Sequence, residues 1–219
     1  MLATTSLAAQ SVPATLHASL IARLDRLGPA AREIAQIGAV LGREFAHELI
    51  ELVTQRPEKE LQAALDQLGD AGLLFCRGIA PHASYLIKHA LVQDAAYSTL
   101  LRGRRQELHA RVAAALQEHF ADLVERQPEL LAQHLTAAGD AERAVDQWLI
   151  AGQHAAERSA HREAIRHFER GLATSAALLK GRLGTEGRSS CNWPAASRFS
   201  RPKVSSPMRR AKPMCERIS

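Results

Sequence analysis

The sequence predicts a mainly α-helical protein, and three observations carry that reading. Ala and Leu are abundant while aromatic residues make up only 4% of the chain, a composition of packed helices rather than sheets. Apolar residues recur at three- and four-residue spacing along most of its length. Short, apolar, strand-like runs are confined to one region, Leu73–Cys76 and Tyr85–Ile87.

The elements follow in order. Residues 1–12 lack periodicity and are expected to be disordered. Pro13 opens a helix over 13–27 in which Leu16, Leu20, Leu24 and Leu27 share a face. Gly28-Pro29 ends it and starts another, with Ala30, Ile34, Ile37 and Leu41 on one side and Gly42 as its stop. A short helix around Ala46–Val53 comes next. Pro57 begins a third helix, with Glu58 and Glu60 in its first turn, where acids suit the macrodipole. Leu61, Leu65 and Leu68 form its stripe, and Gly69 and Gly72 mark its end. The two strand-like runs are then separated by a turn at Arg77-Gly78 and a loop containing Pro81. Three helices followed by a β-hairpin is the order of a winged helix, here expected over residues 28–103.

From Arg104 onward every pattern is helical. Leu108, Val112, Leu116 and His119/Phe120 make one stripe, and Leu131, His134, Leu135 and Ala138 another after Pro128. Gly139-Asp140 resets the chain, with Asp140 as N-cap. Ala144, Val145, Trp148, Leu149 and Gly152 follow; Ser159 is the next expected cap, before Ala164, Ile165, Phe168 and Leu172. Trp148, Gly152, Ala164 and Phe168 match four positions of the tetratricopeptide pattern, although Ala155 replaces its Tyr and the terminal Pro is absent. Residues 104–180 therefore read as a tetratricopeptide-like α-solenoid, a plain helical bundle being the alternative. Beyond Lys180 periodicity stops, and 181–219 reads as a basic disordered tail.

The net charge of +5 is unevenly distributed. The tail holds nine Lys/Arg against two acids, so it carries +7 and the first 180 residues carry −2. Cys76, Cys191 and Cys215 form neither a C-x-x-C pair nor a disulfide framework, which points to a reducing cytosol. The N-terminus lacks the positive segment of a signal peptide, and no apolar run reaches membrane-spanning length.

Val12-Pro-Ala-Thr-Leu-His-Ala-Ser-Leu-Ile-Ala-Arg-Leu-Asp-Arg-Leu27, Ala39-Val-Leu-Gly-Arg-Glu-Phe45 and Lys88-His-Ala-Leu-Val-Gln-Asp-Ala-Ala-Tyr97 together resemble the region after the ATPase domain of bacterial STAND-type signalling ATPases. These proteins often carry adenylate/guanylate cyclase or DNA-binding effector domains. The resemblance covers roughly residues 12–180. It implies that 13–27 is the terminal helix of an ATPase domain missing from this chain, ahead of the winged helix and the helical repeats. It also implies a nucleotide-sensing position. Related proteins place a Met-His-Asp motif at the strand-to-helix junction of the winged helix, where the His meets the β-phosphate of ADP. His89 matches that His; Lys88 replaces the Met and Ala90 the Asp. Any contact of His89 with ATP or ADP would need the missing domain. The abrupt change near residue 180 departs from the family pattern and predicts a reading-frame change or truncation, which translating the other two frames of the coding DNA would test.

No catalytic site, metal site or cofactor is expected. No Gly is followed by Lys, so the chain has no G-x-x-x-x-G-K-[ST] loop to cradle phosphates. The third helix, Glu58–Asp70, has one basic residue and four acids, the wrong sign for a DNA backbone. Arg102, Arg104 and Arg105 read as a solvated link between helices. His161 and His167 do not share a helix face at ligand spacing, His109 and His119 are likewise badly spaced, and no H-E-x-x-H occurs. The function expected is non-catalytic: a regulatory, protein-interaction fragment that binds protein partners or the ATPase domain of its parent, without direct nucleic-acid or membrane contact. The alternative is participation in ATP-dependent signalling linked to cyclase activity or transcription.

Overall fold

The computed structural model describes residues 14–186 and is mainly helical, with one small sheet. Two helices come first, α1 (Ala14–Arg26) and α2 (Pro29–Leu41). Pro29 sits in the first turn of α2, where its missing N–H leaves no bond unmade. Gly42, with φ near 136°, closes α2 in a conformation that disfavours any other residue. Of the face predicted for α2, Ile34, Ile37 and Leu41 are buried and Ala30 is half-buried, with Ala31 buried beside them.

After α2 comes strand β1 (Glu44–Ala46), then helices α3 (His47–Thr54) and α4 (Glu58–Asp70), and strands β2 (Leu74–Arg77) and β3 (Ser84–Ile87). The sheet order is β1-β3-β2 with both pairs antiparallel, so Tyr85 lies opposite Phe45 on one side and Cys76 on the other. The β2–β3 hairpin lies where the sequence puts it; β1 is an addition. Phe45 is seated against α2 at Gly38, where a Cβ would come within 2.9 Å of the Phe45 ring. His47, fully buried, is satisfied by the Tyr85 hydroxyl at 3.2 Å. Tyr85 is itself buried, which raises its pKa to about 12.

Helix α5 (Ala90–Ser98) follows β3 and packs on both α1 and α2. The Leu24 side chain of α1 is buried in the same core as Ile34, Leu61 and Leu68. Helix α6 (Arg102–His119) belongs to two cores at once. Leu108, Val112 and Leu116, four residues apart, face the first core, while Ala113 faces a second one built on Leu131, Leu135, Ala144 and Trp148. The boundary expected between residues 103 and 104 thus falls in the first turn of a helix that both halves share.

The remaining helices are α7 (Ala121–Arg126), α8 (Pro128–Ala138), α9 (Ala141–Glu157) and α10 (His161–Glu186). Asp140 caps α9 as expected, its carboxylate accepting from the Arg143 N–H at 3.3 Å. Ser159 does not cap α10. It adopts φ near 61° and ends α9, with the Ala160 N–H reaching back to the Ala155 carbonyl at 2.9 Å. The first turn of α10 instead starts from the Ala160 carbonyl, which accepts from Glu163 and Ala164. Helix α10 also runs to Glu186, six residues into the stretch expected as tail. Extending an existing helix adds one hydrogen bond per residue fixed, which removes the nucleation cost that the local sequence would face alone. The disorder expected for 1–12 and the rest of the 181–219 tail lie outside the described residues. Among the described residues no helix is long and apolar enough to cross a membrane.

Candidate functional site

His89 occupies the junction between β3 and α5. Its backbone is extended (φ near −130°, ψ near 132°), and its carbonyl accepts the Val92 N–H at 2.9 Å, which starts the helix. The imidazole is exposed and makes no side-chain capping bond. Lys88 is tied by its N–H to the Leu73 carbonyl at 3.1 Å, so the junction is anchored to the β2 side of the hairpin. The Lys88 ammonium and the Arg23 guanidinium of α1 both lie within 4.0 Å of the point where a Gly72 Cβ would sit. Arg23 also donates to the Ala71 carbonyl. With no acid in the first turn of α5, one corner of the surface gathers Arg23, Lys88 and the exposed N–H end of a helix beside His89. Because the His89 imidazole has no hydrogen-bond partner among the described residues, His89→Ala is expected to leave the urea unfolding midpoint unchanged within error; a clear drop would assign the imidazole a capping role instead.

The arginine cluster is a solvated link only in part: Arg102 is exposed, whereas Arg104 and Arg105 are engaged. Arg102, Arg104 and Arg105 form the first turn of α6. Arg104 pairs with Glu107 at 2.8 Å and reaches Glu33 of α2 at 3.5 Å. Arg105 lies over the Tyr97 ring at 4.7 Å and donates to the carbonyls of Leu100 and Ser98. Two of the three therefore fasten α6 to α2 and α5, because the chain turns sharply between α5 and α6 and leaves carbonyls for Arg105 to satisfy.

A second polar constellation was not anticipated. The Tyr97 hydroxyl meets His109 Nε2 at 3.1 Å, and His109 Nδ1 meets His134 Nδ1 at 2.9 Å. Both imidazoles are buried. Burial pushes the pKa of His109 down, helped by the Arg105 charge, and pushes that of His134 down to about 4, helped by His109. Both rings are therefore neutral near pH 7. They border a cleft of about 310 Å³ together with the last turn of α2 and residues of α5 and α8. Searching for ligand spacing within single helices misses this pair, which lies on two helices 25 residues apart in sequence. The available signal was a His inside an apolar stripe, His134 between Leu131 and Leu135. His167, by contrast, stacks on Trp148 with ring centroids 5.5 Å apart, and exposed His161 does not join it. Among the described residues no group of three or more His, Cys, Asp or Glu side chains is arranged to hold a metal ion.

No family model matches the chain, and no solved structure matches it. Over 154 residues, 70% of its length, it is 32% identical to the Uncharacterized protein R02095 of Rhizobium meliloti (strain 1021). The chain spans 15% of the length of that relative.

Proposed function

We propose that this chain is a non-catalytic regulatory and protein-interaction unit, a winged helix followed by tetratricopeptide-like helices, of the kind that accompanies the ATPase domain in STAND-type signalling ATPases. The order α2-β1-α3-α4-β2-β3, with β3 central in the sheet, supports the winged-helix part. The close approach of α9 and α10 at Gly152 and Phe168 supports the repeat-like part.

The observation that carries the interaction role is an open apolar seam on α10. Ile165, Leu172 and Leu179 recur at seven-residue spacing and are 57%, 72% and 57% exposed. That spacing is what a second helix packs against, and aligned exposed apolar residues of this kind mark contact surfaces. The partner is a helical segment of a longer parent protein, for which the Rhizobium meliloti relative supplies test sequences flanking the matched region. A double variant, Ile165→Glu/Leu172→Glu, is expected to fold normally, since surface substitutions rarely disturb stability, and to lose binding to such a flanking segment in isothermal titration. Absence of binding by the unaltered chain to either flank, or equal binding by the double variant, would sink the proposal. Tight ADP binding by the chain alone would also overturn its non-catalytic part.

A further inference from the structure

We propose that the cleft between α5 and α8 is a binding site for a small organic ammonium group, held by His134 Nε2 and the Asp94 carboxylate. At about 310 Å³ the cleft has the size of a small-ligand pocket, and its walls come from four helices: α2, α5, α6 and α8. It is independent of the α10 seam.

The choice of a cation follows from the groups that line it. The last turn of α2, ending at Leu41 and Gly42, borders the cleft. The final carbonyls of a helix have no partners within it and carry its partial negative charge. One of them, that of Ala39, already accepts from Gln93 Nε2 at 3.2 Å. Asp94 on the wall is exposed and forms no ion pair among the described residues. Among the described residues, no Lys or Arg lines the cleft. The nearby Arg105 is committed to the Tyr97 ring and two carbonyls. An anion would find no positive partner here, whereas a cation meets a carboxylate, a helix C-terminus and a neutral imidazole.

Hydrogen-bond polarity points the same way. Of the four imidazole nitrogens, both of His109 and Nδ1 of His134 are occupied, which leaves His134 Nε2 for a ligand. A substituted ammonium has donors only. When it donates to His134 Nε2, His134 Nδ1–H donates to His109 Nδ1, and His109 Nε2–H donates to the Tyr97 hydroxyl oxygen. Each of the four ring nitrogens then has a partner of the right kind. An occupant would also touch helices from both cores, because α2 and α5 belong to the first and α8 to the second.

The test titrates the full chain with butylammonium, n-butanol and butyrate at neutral pH, followed by NMR. Saturable binding of butylammonium is expected, with the other two at least about ten-fold weaker, the effect of a charge-assisted hydrogen bond. Asp94→Asn, an exposed change compatible with folding, is expected to weaken butylammonium binding about ten-fold. His134→Phe should abolish it, provided circular dichroism shows a native helix content. A free amine and the end of a lysine side chain share this chemistry. Tighter binding of Nα-acetyl-lysine methylamide than of butylammonium assigns the cleft to a protein side chain, the reverse order to a free amine, and either supports the site. Equal binding of n-butanol or butyrate, no binding of either amine, or an Asp94→Asn variant that binds unchanged would overturn it.

Discussion

Between pH 6.5 and 4 the fold is expected to lose about 3 kcal/mol of stability through His134 alone. In the unfolded chain that imidazole titrates near its ordinary value of 6.5, whereas burial, reinforced by the neighbouring His109, brings it to about 4 in the fold. Each pH unit between the two values is worth about 1.4 kcal/mol. The native state holds the ring neutral, so below pH 6.5 the unfolded chain binds the proton first and stability falls. The loss is nearly complete as the pH reaches the folded value and ends just below it. His109 adds in the same direction, since burial and Arg105 lower its pKa as well. Asp94 is the only Asp, Glu, Lys or Arg among the described residues that line the same cleft. Urea unfolding at pH 7, 5.5 and 4 measures the slope, and His134→Leu isolates the contribution. That variant leaves His109 Nδ1 without a partner and should cost about 1–3 kcal/mol at pH 7. Its stability should then fall less with acid than that of the natural chain, by about 3 kcal/mol over the full range. Carboxylate titration affects both proteins alike. Parallel pH profiles would refute the assignment.

How much of this was legible beforehand depends on whether the deciding contact is local. Helix α2 could be read because Gly28, Pro29 and Gly42 punctuate it, and the break before α9 because Gly139 and Asp140 do. Strand β1 could not. Three residues, Glu44-Phe-Ala46, give no alternation to recognise, and only pairing with β3 and the seat for Phe45 on Gly38 make them a strand. Ser159 has the chemistry of a cap but lies on the wrong side of the turn, because α9 extends to Glu157 and ends through a left-handed residue.

The candidate sites divide along the same line. His89 was found at its junction because a strand-to-helix switch is a local pattern, and the structure places it there, exposed. The His109–His134 pair required knowing that α6 and α8 pack side by side. A histidine within an apolar stripe shows that a polar group will be buried; it does not show what will satisfy it. The arginines of α6 failed for the same reason. Their acidic and aromatic partners, Glu33 and Tyr97, sit on helices that the sequence around them does not mention.

Replacing Gly152 tests whether α9 and α10 are held as close as the Trp148/Gly152/Ala164/Phe168 pattern suggests. A Cβ at this position would lie 2.3 Å from Phe168 Cε1 and 2.6 Å from Cδ1, closer than any contact a methyl can make. Nearby, a Cβ on Gly171 would meet Trp148 Cβ at 3.2 Å, so the helices are also close one turn further along. Gly152→Leu must therefore part the helices or drive the Phe168 ring into water, and overpacking of this kind costs about 2–3 kcal/mol. A glycine inside a helix is itself unfavourable by about 1 kcal/mol relative to Ala. The sign of Gly152→Ala thus depends on the ring. With Phe168 present the substitution should destabilise. In a Phe168→Ala background, where the obstructing atoms are gone, the same Gly152→Ala change should stabilise by up to about 1 kcal/mol. Thermal unfolding of the four proteins in this cycle supplies the comparison. If Gly152→Ala stabilises in both backgrounds, Phe168 yields freely, and the close approach of α9 and α10 makes no demand on residue 152.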